Sequence, residues 1–316
     1  MEVLFLFPIK EHQEKMLKDE FPDVDFLFGR KPDDPALGTA EVIVTYGGDL
    51  SEEHIQQAKA LRWLMVASAG LEQLPLGAIA RRGDITVTNV RGIHKIPMAE
   101  SIIAHILSYK RGLKKIYEQQ ERRDWNKRVG GTELHGSKAL ILGPGAIGGE
   151  AGRLLQAFGV ETYGCNRSGR QADHMDRMLS FGELAGTLPE MDFVVSVLPS
   201  TPETRGLLKK EHFSAMKEGA VFLNFGRGDL YEEQDLIDAL NGGRPAAAVL
   251  DVFESEPLPE DHPFWGMDNV TVSPHVSALS GKYVERSLDI FAPNLRKWLD
   301  KKPGEMENLI DTSRGY

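Results

Sequence analysis

A single cysteine, Cys165, stands in 316 residues. No internal disulfide can form, and a reducing compartment fits. Positive charge is in short supply: 37 Lys and Arg face 47 Asp and Glu, a net charge of −10. That balance weighs against a nucleic-acid surface, which carries a basic patch. No run approaches the roughly 18 apolar residues of a membrane-spanning helix. The opening Met1-Glu2-Val3-Leu4-Phe5-Leu6-Phe7-Pro8 has no basic leader and only a short apolar run. It reads as a first strand and not as a signal peptide. Low-complexity stretches and short-period repeats are missing. The histidines, among them His12 and His262, show no metal-ligand spacing, so no metal is expected. The composition is that of an acidic soluble protein, and a cytoplasmic location without nucleic-acid or membrane partners is expected.

At this length, with 41% hydrophobic residues, two domains with sizeable cores are expected. The segment Ala139-Leu140-Ile141-Leu142 is strand-like. Gly143-Pro144-Gly145-Ala146-Ile147-Gly148 follows it, and a helix-like run continues from Glu150 to Phe158. Glycines at this spacing, between a strand and a helix, mark a dinucleotide-binding turn. Gly143 permits the tight turn, Gly145 lets the backbone approach a pyrophosphate, and Gly148 lets the helix pack on the strand. The pyrophosphate then faces unpaired N–H groups at the positive end of the helix. Ala146 and Ile147 belong to the same cofactor-facing turn.

Strand candidates Val3–Phe7, Val24–Phe28, Glu41–Thr45, Trp63–Ala67 and Ile85–Asn89 alternate with helical stretches such as Glu11–Glu20 and Ser51–Ala60. This rhythm predicts a parallel sheet covered on both faces. A long helix is expected from near Pro97 toward Arg123, with the polar stretch Ser108–Lys115 as the place for a break. Six more strands follow: Ala139–Leu142, Glu161–Cys165, Phe193–Leu198, Ala220–Asn224, Ala247–Asp251 and Val270–Ser273. A tail helix, Lys282 to Leu299, is expected to pack back on the first domain. The fold class is α/β, with two Rossmann-like or flavodoxin-like parallel-sheet domains and a cleft between them. Residues 1–97 with 282–316 would form a discontinuous substrate domain, and residues 98–281 the dinucleotide domain. Hinges at Arg91–Met98 and Ser277–Lys282 would close the cleft.

Three chemistry-bearing residues stand at predicted strand ends: Arg227 in Asn224-Phe225-Gly226-Arg227-Gly228, Glu256 in Asp251-Val252-Phe253-Glu254-Ser255-Glu256, and His275 in Ser273-Pro274-His275-Val276. The carboxyl ends of strands in an open α/β sheet border the ligand crevice. Reduction of a 2-oxo acid needs a hydride at the carbonyl carbon and a proton at its oxygen. Arginine matches the carboxylate bidentately. Histidine titrates closest to working pH, and a carboxylate beside it favours the imidazolium and fixes the ring. The glycines flanking Arg227 are read as close packing against a ligand. His94, in the loop Gly92-Ile93-His94-Lys95, is read as solvated, Cys165 as a small core residue, and Asp251 as a residue that could simply cap its turn.

Taken in order, Gly143-Pro144-Gly145-Ala146-Ile147-Gly148, Leu198-Pro199-Ser200-Thr201-Pro202-Glu203-Thr204, Gly226-Arg227-Gly228, Asp251-Val252-Phe253 with Glu256-Pro257-Leu258, and Pro274-His275 resemble the D-isomer-specific 2-hydroxyacid dehydrogenase family. The likeness runs from the Ala67-Ser68-Ala69-Gly70 turn to the C-terminal helix. It implies Arg227 on the substrate carboxylate and carbonyl, His275 as proton donor, Glu256 as its partner, and Asp251 facing the nicotinamide carboxamide. Backbone groups of Ala69 and Gly70 would seat the substrate carboxylate. Further cofactor contacts are expected at Leu198, Pro199, Thr204, Phe225, Gly226 and His275. Formate dehydrogenases of the same superfamily usually carry glutamine where Glu256 stands, so the chain resembles a hydroxyacid enzyme. Cys165-Asn166-Arg167-Ser168 and the ending Ser313-Arg314-Gly315-Tyr316 resemble the glyoxylate/hydroxypyruvate reductase branch. A homodimer contact through the helix after Pro97 is implied as well. Tyr46, beside Gly47-Gly48, is read either as lining the substrate pocket or as ordinary turn packing.

An NAD-selective fold carries Asp or Glu about 20 residues past the glycines. Here the second strand ends in Tyr163-Gly164-Cys165-Asn166-Arg167-Ser168-Gly169-Arg170, without an acid. Asn166, Arg167, Ser168 and Arg170 are assigned to the adenosine end, with Arg167, Ser168 and Arg170 on a 2′-phosphate. NADP(H) is therefore expected in preference to NAD(H). The expected activity is reversible reduction of glyoxylate, hydroxypyruvate or a similar small 2-oxo acid. Two rival readings stand beside it. One is a nicotinamide-sensing interaction protein similar to the corepressors built on this fold. The other is a phosphoglycerate dehydrogenase-like enzyme, although no extra cations surround Tyr46 and Ser68 and the chain ends too early for that group's regulatory domain.

Overall fold

The computed structural model describes residues 1–68, 70, 71 and 73–312. Two compact units form: Met1–Ile93 with the chain from Ser280 onward, and His94–Leu279.

In the first unit β1 (Glu2–Phe5), β2 (Asp25–Leu27), β3 (Val42–Thr45), β4 (Trp63–Val66) and β5 (Thr86–Asn89) pair in parallel, in the order β2-β1-β3-β4-β5. Helices α1 (Glu11–Glu20), α2 (Glu52–Gln57) and α3 (Leu76–Arg82) connect strands. Val3 and Phe5 enter one core and Leu4 the other, the period-two alternation of a strand. Both cores are apolar, which is why these strands read as continuous hydrophobic runs. Most of the strands stop one or two residues short of the apolar run that announces them. Phe7 lies past the paired end of β1 and stays buried.

The second unit opens with α4 (Lys95–Arg111) and α5 (Leu113–Glu121). The helix expected from near Pro97 begins two residues earlier and is divided at Gly112, inside the polar stretch read as the place for a break. That residue sits at φ +63, a left-handed cap, and a Cβ on it would lie 2.5 Å from the Val129 carbonyl oxygen. Glycine alone adopts this conformation without cost, so the helix ends there. Then come β6 (Lys138–Leu142), α6 (Ala146–Ala157), β7 (Glu161–Asn166), β8 (Arg177–Ser180), α7 (Leu184–Thr187), β9 (Phe193–Ser196), α8 (Lys210–Ala215), β10 (Val221–Asn224), α9 (Glu233–Asn241), β11 (Ala247–Leu250) and β12 (Val270–Val272).

The strand order is β12-β11-β10-β9-β6-β7-β8, parallel throughout. The described sheet therefore has seven strands, not the expected six. The additional one, β8, is an edge strand paired only to β7, and none of its residues is fully buried. An edge strand covered on few sides needs little apolar patterning, so its sequence carries no strand signal. Counted from β6, the order is the doubly wound one, reversing between β6 and β9.

Register decides what meets at the carboxyl edge. Leu142 pairs with Cys165 and with Ser196, Ser196 with Asn224, Asn224 with Leu250, and Leu250 with Val272. The residues that follow these strand ends emerge side by side: the glycine turn, Asn166–Arg170, Leu198, Gly226–Arg227, Asp251 and Ser273–His275.

Finally α10 (Tyr283–Leu299) returns to the first unit. It buries Leu288, Phe291, Ala292 and Leu295 there, and the Phe291 ring stacks on Trp63 at 5.5 Å between centroids. No helix among the described residues is long and apolar enough to cross a membrane.

Candidate active site

The glycine turn sits where β6 passes into α6. Gly143 takes φ +90, a left-handed angle that side-chain-bearing residues rarely adopt. A Cβ on Gly145 would meet nothing within 4 Å, so that face of the backbone is open. A Cβ on Gly148 would lie 2.5 Å from the Gly143 oxygen and 2.9 Å from Ile141, so helix and strand are in backbone contact. No side chain caps α6, which leaves first-turn N–H groups for an anion. Ala146 is exposed and Ile147 half-buried.

A cavity of about 880 Å³ joins Gly143–Ala146 to Asn166, Arg167, Ser168 and Arg170. Asn166 builds that second wall. Its Oδ1 accepts from the backbone N–H of Ser168 and of Arg170, both at 3.1 Å, and its Nδ2 donates to the Arg170 carbonyl at 2.7 Å. The Arg167 side chain is 76% exposed and pairs with Glu203 at 3.3 Å. Pro199 lines the same cavity. Thr204 holds the Pro199 loop, donating from Oγ1 to the Pro199 carbonyl at 2.6 Å.

Leu198 and Phe225 are buried. Phe225, 2% exposed, lies in the core beneath the sheet edge, and its backbone N–H donates to Ser196. Its side chain thus offers no surface to a ligand, because the apolar ring is taken up by packing. Gly226 and Gly228 have a reason other than the one expected. A Cβ on Gly226 would lie 2.5 Å from the Leu198 oxygen, and one on Gly228 would lie 2.0 Å from the Phe253 carbonyl carbon. These glycines pack against the two neighbouring strand-end loops. The Arg227 loop is wedged between the loops after β9 and β11. Within it, Asn224 Nδ2 donates to the Arg227 carbonyl at 2.9 Å.

Glu256 and His275 meet at the same edge. Nδ1 of His275 lies 2.7 Å from Oε2 of Glu256. The other carboxylate oxygen accepts from the Phe253 N–H at 3.0 Å. A carboxylate only accepts, so Nδ1 is assigned the proton and Nε2 is the working nitrogen. The His275 side chain is 48% exposed and open to a ligand. His275 has φ +53. A left-handed non-glycine residue costs about 1–3 kcal/mol and persists where its surroundings over-determine it.

Asp251 is 1% exposed and accepts four hydrogen bonds from the loop carrying His275. Their donors, Ser273, Val276 and Ser277, were not singled out by sequence reasoning. The signal was a pair of serines bracketing the histidine. His94 is buried at the start of α4, not solvated; burial and the charge of Arg227 push its imidazole below the ordinary histidine range. Burial also pushes the Cys165 thiol up to about 12.

In the first unit Tyr46 is partly exposed just past β3 and packs on Phe7, with ring centroids 4.3 Å apart. The Ser68 hydroxyl donates to the Gly70 carbonyl at 2.6 Å. Ala69 and Ser313–Tyr316 lie outside the described residues.

Residues 103–277 match the D-isomer specific 2-hydroxyacid dehydrogenase, NAD binding domain. A glyoxylate/hydroxypyruvate reductase A from Serratia proteamaculans is 33% identical, over 69% of this chain and 68% of its own. The crystal structure of a D-isomer specific 2-hydroxyacid dehydrogenase family protein from Aeromonas salmonicida is 34% identical, with a TM-score of 0.87 over 98% of this chain and 99% of its own. An NADPH-dependent glyoxylate/hydroxypyruvate reductase from Sinorhizobium meliloti, solved with NADP and sulfate, is 26% identical. Its TM-score is 0.80, covering 100% of this chain and 99% of its own. The chain belongs to the D-isomer-specific 2-hydroxyacid dehydrogenase family and is a nicotinamide-dependent oxidoreductase.

Proposed function

We propose that the protein reduces a small 2-oxo acid, of the glyoxylate or hydroxypyruvate kind, to the D-2-hydroxy acid, reversibly and with NADPH as the preferred hydride donor. The observation that carries this reading is the 2.7 Å His275–Glu256 contact on the sheet edge that also bears the glycine turn and Arg227. When bound, the nicotinamide supplies hydride to the carbonyl carbon. Arg227 takes the substrate carboxylate through paired N–H donors and draws electron density from the carbonyl. His275 delivers its Nε2 proton to the carbonyl oxygen, so hydride plus proton turn the 2-oxo acid into the alcohol. Glu256 holds the ring through Nδ1 and so keeps Nε2 directed away from the carboxylate as the proton-delivering nitrogen. Gly70 and Tyr46 are assigned to the substrate, and Gly143–Gly148, Asn166, Pro199 and Thr204 to the cofactor or to the loops that seat it.

Support for NADPH comes from the wall after β7. The strand end carries Arg167, Ser168 and Arg170 and no carboxylate, while Asp173 and Glu150 line other parts of the same cavity. A 2′-phosphate there would compete with Glu203 for Arg167. Relatives named as glyoxylate/hydroxypyruvate reductases, one of them solved with NADP, point the same way. A panel of 2-oxo acids assayed with both reduced cofactors tests the reading. The expected result is the highest kcat/KM for glyoxylate or hydroxypyruvate with NADPH. An equal or greater value with NADH refutes the cofactor preference, and turnover of none of the acids refutes the activity.

The assembly is assigned as a homodimer. Helix α5 buries none of its residues, and Trp125 beyond it is 93% exposed. Apolar and aromatic surface of this kind is what a partner covers. Light scattering of the intact chain should give twice the monomer mass, and Trp125→Asp should lower it. A monomer before substitution refutes the assignment.

A further inference from the structure

The connection between β11 and β12 carries Glu256 and is long, running from residue 251 to residue 269. A carboxylate on so long a loop stays 2.7 Å from His275 only if the loop is fastened. Part of the fastening is apolar: Phe253 and Phe264 are buried in one core of the second unit, with ring centroids 6.2 Å apart. The polar part lies outside the loop, in Glu233, the first residue of α9. The positive end of the helix suits a carboxylate there. Its Oε1 accepts from the Glu254 N–H at 3.2 Å, and its Oε2 lies 3.1 Å from Nε2 of His262. Nδ1 of His262 accepts from the Phe264 N–H at 3.3 Å. A ring nitrogen that accepts carries no proton, so Nε2 bears it and donates to Glu233. The two side chains are largely withdrawn from water, at 15% exposure for His262 and 19% for Glu233.

One carboxylate thus holds the loop on both sides of Glu256, at residues 254 and 262. Glu233 also belongs to the segment that leaves β10 with Arg227 on it. A Cβ on Gly228 would lie 2.4 Å from the Glu254 nitrogen, so the backbone of that segment presses on the loop at the same place. Glu254 in turn is two residues from the carboxylate that meets His275.

We infer that Glu233 and His262 are positioning residues, a second carboxylate–imidazole pair that staples the Glu256 loop to the Arg227 segment and thereby sets where Glu256 meets His275. The kinetic consequence rests on Glu256 and His275 acting together in the proposed reduction; the staple itself does not.

Exchange and kinetics test the two halves. Amide hydrogen exchange across residues 253–256 should quicken in His262→Ala, because Glu233 loses the contact that fixes its carboxylate against the Glu254 N–H. Unchanged exchange overturns the staple, whatever the reaction proves to be. In kinetics, His262→Ala should lower kcat about tenfold, the scale of one hydrogen bond to a charged group. KM for the 2-oxo acid and the Kd for NADPH, read by fluorescence quenching, should stay within about threefold, since no ligand contact is lost. His262→Gln keeps a donor for Glu233 and should restore most of the loss. A double-mutant cycle with Glu256→Gln supplies a readout that general loosening would not move. Once Glu256→Gln is in place, His262→Ala should lower kcat by less than about twofold. The full loss in both backgrounds, or wild-type kcat in His262→Ala, overturns the positioning role. Should His262→Ala fail to fold, Glu233→Asp carries the same measurements, its carboxylate one methylene too short to reach both ends of the loop. If the unaltered protein turns over none of the acids, the proposed reduction falls and the exchange result alone decides the staple.

Discussion

At the scale of single residues, function is set less by what a side chain is than by what holds it. A histidine on a loop is ordinarily a solvated group. His275 differs because Glu256 fixes one ring nitrogen and a buried anion fixes the loop beneath it. His275→Gln should therefore reduce kcat by about 10²–10⁴-fold, the usual yield of positioned acid–base assistance, while NADPH still binds. Near-normal turnover would remove its assigned role. Arg227→Ala should cost kcat/KM for the 2-oxo acid at least as much as one charge-assisted hydrogen bond, about 1.5–3 kcal/mol. A kcat/KM equal to wild type contradicts the carboxylate contact. Cys165 is the opposite case: buried, with its thiol held up near 12, it is a packing residue and not a nucleophile.

At the scale of elements, the glycines report which backbones touch. Gly148 marks helix against strand, as its spacing after Gly143 foretold. Gly226 and Gly228 mark loop against loop, which their spacing did not reveal, because a glycine says only that something is close and not what. Gly228→Ala places a Cβ 2.0 Å from the Phe253 carbonyl carbon, next to the segment that leads to Glu256. Backbone cannot swing aside as a side chain can, so overpacking of about 1–3 kcal/mol is expected. A melting experiment should show a lowered Tm together with reduced turnover. A Tm equal to wild type would mean that the two loops are free to part. The same reasoning explains β8 and Gly112. An edge strand needs little apolar pattern, and a helix break is set by one left-handed residue, so the first was missed and the second was located only to a stretch of several residues.

At the scale of the whole molecule, pH acts through two imidazoles in the second unit. His94 and His105 both lie below the ordinary value of 6.5, chiefly because burial disfavours their charged forms. Arg227 adds to the effect at His94, and Asp251 opposes it at His105. Above that value both are neutral, folded or unfolded, and stability is unaffected. Below it the unfolded chain binds protons that the folded one resists, so stability falls as pH falls from about 6.5 toward the lowered folded values. Thermal melts between pH 8 and pH 5.5 should show a plateau and then a decline, and His105→Gln should soften the decline. A melting temperature that rises on acidification would reverse the sign and refute the account.

Local chemistry was enough to announce a strand, a glycine turn and a helix in succession, the α/β class, the tail helix and the places of Arg227 and His275 just past strand ends. Each depends on residues adjacent in the chain or on a periodicity that one element carries by itself. Which strand ends stand beside which, what the flanking glycines press against, and which donors Asp251 accepts from were decided only in three dimensions. Those depend on register across parallel strands joined by long crossovers, where the partners of a backbone group are distant in sequence and leave no pattern near it.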